Sequence, residues 1–75
     1  MKTEILDLER LLCPMPVIRV QDKIATLQTG DIVKAVCTDA GVKHDIPAWC
    51  RINGHEVLNI EEADGFYTIT VKVGE

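Results

Sequence analysis

Three cysteines and two histidines are the side chains best suited to nucleophilic or redox work, and Cys13 has the most telling setting among them. It lies in Leu11-Leu12-Cys13-Pro14-Met15-Pro16-Val17-Ile18-Arg19, where an extended apolar run gives way to a segment with two prolines. Proline suits a first helical turn, because those amides have no intrahelical partner and its φ is already right for the helix. Pro14 and Pro16 therefore mark a helix start, and Cys13 falls at or just outside its amino end. The free amides and partial positive charge there favour an anion, so the spacing predicts a thiolate at Cys13. A fall in pKa from about 8.5 to near 7 would raise the ionised fraction at pH 7.4 from roughly 7% to roughly 70%. Of the three thiols, Cys13 is the one expected to react first.

The other candidates read differently. Cys37 sits in the β-rich run Ile32-Val33-Lys34-Ala35-Val36-Cys37-Thr38 and Cys50 beside Trp49, so both read as packing, with a resolving thiol as the alternative for Cys50. No Cys-x-x-Cys pair supports dithiol exchange, and no spacing of Cys13, Cys37, Cys50, His44 and His55 suggests a tetrahedral metal site. Neither a metal nor a cofactor is expected. The two histidines read as surface or cap residues. Arg19 and Lys23 stand one helical turn apart beyond the cysteine and, with Arg10, are the cations expected to meet a partner.

These residues need elements to position them. Glu4–Leu8 alternates as a short strand with Leu6 and Leu8 on one face. From Pro14 to Gln28, Val17, Val20, Ile24 and Leu27 recur at helical spacing, and Gly30 ends the pattern. Residues 32–38 are apolar at nearly every position, as an interior strand would be. Between Asp39 and Asn53, Asp39 could cap a turn beginning at Ala40. Pro47 would then cost a helix roughly 3 kcal/mol, so a late helix is expected, capped by Asp45, with Ile46, Trp49 and Cys50 on one face and Gly54 at its end. Residues 56–60 and 67–73 read as strands joined through Asp64-Gly65, a hairpin signal, with Tyr67, Ile69, Val71 and Val73 on the covered face. The order is βαβαββ, an α+β two-layer sandwich with a four-stranded mixed sheet and both helices on one face.

Composition sets the outer limits. At 75 residues and 47% hydrophobic content, the chain should be one domain over residues 1–75 with a thin core. No run approaches the ~18 apolar residues of a membrane span, and Met1-Lys2-Thr3-Glu4 does not begin a secretory signal, so a cytoplasmic protein with free thiols is expected. The net charge is −4, with four basic and four acidic side chains in residues 1–29 against four and eight in residues 30–75. That is a poor footprint for direct nucleic-acid binding, which draws on Lys and Arg contacts to phosphate.

Leu6-Asp7, Leu11-x-Cys13-Pro14-x-Pro16-Val17, Leu27-x-x-Gly30, Thr38-Asp39, Asp45-Ile46-Pro47 and Gly54-His55-Glu56 together resemble the TusA/SirA family of small sulfur carriers, over nearly the whole chain. The resemblance implies the two-layer βαβαββ fold and a persulfide carried on Cys13. It further implies a monomer that takes sulfane sulfur from a cysteine desulfurase or rhodanese-type donor and passes it to an acceptor sulfurtransferase. Such a protein is a sulfurtransferase-type carrier within a relay for tRNA thiolation, cofactor synthesis or sulfur oxidation, rather than a stand-alone enzyme. Two positions depart from the family pattern: Arg10 replaces a glycine three residues before the cysteine, and Ala40 replaces a proline after the strand-ending aspartate. The rival reading is a non-catalytic regulatory or interaction module in which Cys13 is only a helix-start residue.

Overall fold

The computed structural model describes residues 2–74. Six elements follow one another: β1 (Thr3–Leu8), α1 (Met15–Ile24), β2 (Ile32–Cys37), α2 (Val42–Asn53), β3 (Glu56–Ala63) and β4 (Phe66–Lys72). The strands form one mixed sheet in the order β1-β2-β4-β3, in which β1 and β2 run parallel and the other neighbours antiparallel. Helix α1 packs on β1 and β2, α2 packs on β3 and β4, and the helices touch each other. This is the expected α+β sandwich. Alternation assigns the faces: Val33, Ala35 and Cys37 of β2, and Ile69 and Val71 of β4, turn to the helices and are fully buried. Val20 and Ile24 of α1 and Val42, Ile46 and Cys50 of α2 close the core from above.

Three boundaries differ from the sequence expectation by three residues or more. Helix α1 stops at Ile24 rather than running to Gln28. The Thr26 and Leu27 amides turn back to the Lys23 and Ile24 carbonyls in tight i→i+3 bonds, and the Thr26 hydroxyl also donates to the Lys23 carbonyl at 2.7 Å. Helix α2 starts at Val42, earlier than expected, and keeps Pro47 inside it. Proline forfeits one bond to the carbonyl four residues back, whereas Val42, Ile46 and Cys50 each bury a side chain, worth about 1.5–3 kcal/mol for a large aliphatic one, so burial offsets the break. Gly54 closes α2 in the left-handed conformation at φ 79°, with the His55 amide bonded to the Cys50 carbonyl at 2.8 Å. Strand β3 continues through Glu61, Glu62 and Ala63, leaving Asp64 (φ 53°) and Gly65 (φ 80°) as a two-residue turn of the kind that hairpin twist favours.

Arg10 lies on the connection from β1 to α1 with φ 67°. The turn keeps its left-handed residue even without glycine, and the Arg10 amide is tied to the Thr38 hydroxyl at 2.8 Å. A side chain in that region costs about 1–2 kcal/mol, of which the backbone entropy of glycine would return roughly half. Arg10→Gly should therefore stabilise the protein by about 0.5–1 kcal/mol, seen as a higher urea midpoint at unchanged slope.

Candidate functional site

Strands β1 and β2 are parallel and in register, with Leu8 beside Cys37, so the chain leaves both at the same end of the sheet. The two connections then lead into α1 and α2, whose amino ends lie side by side above that end. Cys13 stands on the first connection and is exposed. The next residue, Pro14, occupies the N-cap position of α1 without a side-chain cap, and the Cys13–Pro14 peptide is cis. Pro16 follows in the first turn with its ring buried in the core. The expected helix start beside the cysteine is thus in place, and Pro16 anchors it.

What faces the sulfur comes from the second connection and α2. Asp39 accepts the Cys13 amide at Oδ2 (2.9 Å) and the Gly41 amide at Oδ1 (3.1 Å), which fixes the cysteine backbone against the entry to α2. Asp45, in the first turn of α2, accepts a hydrogen bond from Cys13 Sγ through Oδ2. These contacts reverse the expected electrostatics. Hydrogen bonding to Asp45, then desolvation, then the negative charges of Asp45 and Asp39, push the Cys13 thiol up to about 11. A helix end offers about half a positive charge, whereas two carboxylates oppose a thiolate with up to two negative ones. Asp39 is itself held below the usual carboxylate range by the Gly41 and Cys13 amides, so it is charged at neutral pH.

The other sequence candidates lie elsewhere. Cys37 and Cys50 are buried, and desolvation raises both thiols to about 11, with the charge of Asp39 adding to it at Cys37. His55 stacks on Trp49 at 5.2 Å between ring centres, and its Nδ1 accepts the Gly74 amide at 2.9 Å. It lies beyond the carboxyl end of α2, whereas Asp45 is in that helix's first turn. His44 is exposed. Arg19 and Lys23 line a groove of about 420 Å³ against β1, with Leu6, Asp7, Leu8, Asp22 and Thr26, and Lys23 is paired with Glu4 at 3.2 Å. They turn toward the sheet edge, and the charges acting on the Cys13 sulfur are carboxylates alone.

Sequence reasoning missed two groups. Asp39 and Asp45 looked like helix caps, and only the sheet topology brings them to a cysteine 26 and 32 residues away. Leu12 (72% exposed), Met15 (38%) and Ile18 (40%) surround the helix start as an apolar surface. Their signal was present: Met15 and Ile18 are apolar residues off the core face of α1, where a solvated helix would carry polar ones.

The chain matches the family profile described as "Sulfurtransferase TusA" over residues 4–73, and it belongs to that family. It is 39% identical over 72 residues to a protein of Neisseria meningitidis serogroup A named as a candidate sulfur carrier, covering 96% of this chain and 97% of the relative. To the sulfur carrier protein TusA of Pseudomonas aeruginosa it is 35% identical over 68 residues, 91% of this chain and 86% of that one. Its fold is similar to the crystal structure of a SirA-like protein from Desulfitobacterium hafniense, with a TM-score of 0.85 at 24% identity over 96% of this chain and 99% of that one. Among the described residues no helix is long and apolar enough to cross a membrane.

Proposed function

We propose that Cys13 carries sulfane sulfur as a persulfide in a cytoplasmic relay, receiving it from a desulfurase or rhodanese-type donor and delivering it to an acceptor sulfurtransferase. The observation that carries this reading is the exposure of Cys13 on a fixed helix start, while the other two thiols of this sulfur-carrier family member are buried. In the loading step the Cys13 thiolate attacks the outer sulfur of a donor persulfide. A bond forms between Sγ and that sulfur, the donor S–S bond breaks, and its electron pair leaves on the donor thiolate. The proton released by Cys13 is balanced by the one taken up by the departing thiol. No oxidant is consumed. Delivery is the same exchange in the opposite sense, with the acceptor thiolate as nucleophile.

Leu12, Met15 and Ile18 suit this role as the apolar ground on which a partner settles around the sulfur. Arg10, Arg19 and Lys23 are then left to steer partners from the flank rather than to touch the persulfide. The test is direct loading. The protein, incubated with a persulfide-bearing desulfurase, should gain the mass of one sulfur atom, and peptide mapping should place it on Cys13. Sulfur on Cys37 or Cys50, or no gain from any persulfide donor, would overturn the reading.

A further inference from the structure

The Cys13 thiol is engaged by a carboxylate rather than free, and the geometry says which residue does the holding. Cys13 Sγ donates to Asp45 Oδ2, while the Cys13 amide is pinned by Asp39 Oδ2 at 2.9 Å. Gly41 lies between the two carboxylates: a Cβ placed there would meet Asp39 Oδ1 at 3.5 Å and Asp45 Oδ2 at 3.6 Å, so both oxygens converge on one small region. Asp45 sits in the first turn of α2. A carboxylate in this position could be a general base or a restraint. A general base would ease ionisation of the thiol, whereas the hydrogen bond to Asp45 and the charges of Asp45 and Asp39 push it up to about 11. Restraint is the role that fits.

We propose, building on the carrier reading, that Asp45 is a positioning residue that keeps Cys13 a thiol while the protein is alone, and that a partner opens the site by bringing a cation to Asp45. The groups facing the sulfur are Asp45 of α2 and Asp39 of the β2–α2 connection, and among the described residues no cation contributes to the setting of this thiol. A basic side chain on a sulfur donor supplies that missing charge. It draws the carboxylate off Sγ, the thiol ionises, and the thiolate attacks the outer sulfur of the donor persulfide, whose thiolate departs. A carrier gated in this way resists small electrophiles between partners and responds to donors that carry the matching charge.

Alkylation of Cys13 by neutral iodoacetamide, followed against pH by peptide mass spectrometry, reads the thiolate directly. In the parent the rate should climb about tenfold per pH unit without levelling before about pH 11, because the thiol titrates there. In Asp45→Asn the inflection should fall by one to two units. Two units raise the thiolate fraction about 100-fold and lower its nucleophilicity about tenfold, leaving a net gain of about tenfold at pH 7.4. Asp45→Glu should keep the parental profile, and Asp64→Asn, which removes a charge at the hairpin tip, should leave it unchanged. The partner's charge is tested by disulfide exchange with dicationic cystamine against neutral bis(2-hydroxyethyl) disulfide. The preference for cystamine should shrink at least about threefold in Asp45→Asn. An unshifted or raised inflection in Asp45→Asn, in a variant whose circular dichroism matches the parent, overturns the proposal, and slower alkylation would assign Asp45 as a base instead. Sulfur loading of the parent is scored separately, so failure of the carrier reading and failure of the Asp45 role give different results.

Discussion

Cys13→Ser is expected to accept no sulfur from any persulfide donor while remaining folded and able to bind its partners. Serine presents an oxygen of similar size at the same exposed position, and its hydroxyl can still donate to Asp45, so the connection to α1 keeps its shape. The chemistry does not survive, because an alcohol is not ionised near neutral pH and cannot displace a thiolate from a persulfide. The loss should be complete rather than graded, since Cys37 and Cys50 are buried and cannot substitute. Two measurements on the same variant separate the readings of this chain: intact mass after exposure to a loaded donor, and affinity for that donor by calorimetry. A carrier loses the mass gain and keeps the affinity, to which the exposed Leu12, Met15 and Ile18 are expected to contribute. If a downstream thiolation assay ran normally with Cys13→Ser, the chain would be an interaction module and the thiol incidental.

Much of the architecture was legible because it rests on local rules. Alternation in residues 67–73 assigned Tyr67, Ile69, Val71 and Val73 to the covered face, and the continuous apolar run at 32–38 marked the strand that pairs on both sides, as β2 does with β1 and β4. The errors came where tertiary burial outweighed a local penalty. Pro47 argued for a late α2, but the stripe Val42, Ile46 and Cys50 draws the helix back to Val42. Exposed Arg10, in the left-handed region at φ 67°, shows a tertiary constraint of another kind: its amide is tied to the Thr38 hydroxyl, so the turn is dictated by what it joins rather than by its own preference.

The site was half legible for the same reason. Pro14 and Pro16 locate a helix start beside Cys13 from sequence alone, and the positive end of a helix suggested an acidified thiol. The sign was wrong because the deciding charges are remote in sequence. Only when β1 and β2 pair in parallel do both helix amino ends meet at one edge of the sheet, and only then do Asp39 and Asp45 reach the sulfur. Parallel β-α units gather their functional groups at the carboxyl ends of the strands, and no spacing along one chain segment reveals which of those groups will touch.

Ile46→Ala should come close to unfolding the protein. Ile46 is fully buried in α2 and belongs to the cluster with Val20, Val42, Ile69 and Val71 that joins the helical layer to the sheet. Removing its three outer carbons loses their transfer energy and leaves a cavity, a change that typically costs 2–5 kcal/mol. A domain of this length has about 4–11 kcal/mol in total, at roughly 0.05–0.15 kcal/mol per residue. With about 4–8 °C of Tm lost per kcal/mol in small domains, a loss near 3 kcal/mol lowers Tm by about 12–24 °C. Thermal melting by circular dichroism measures this, and a fall under about 5 °C would mean that the helix layer closes over the gap and that the core is less tightly built than its burial implies. The same change reaches the site, because Ile46 adjoins Asp45 and its packing fixes the turn that carries the carboxylate. Well below its Tm, Ile46→Ala should therefore alkylate Cys13 faster than the parent, though less than Asp45→Asn does, since a loosened carboxylate still opposes the thiolate while an absent one does not.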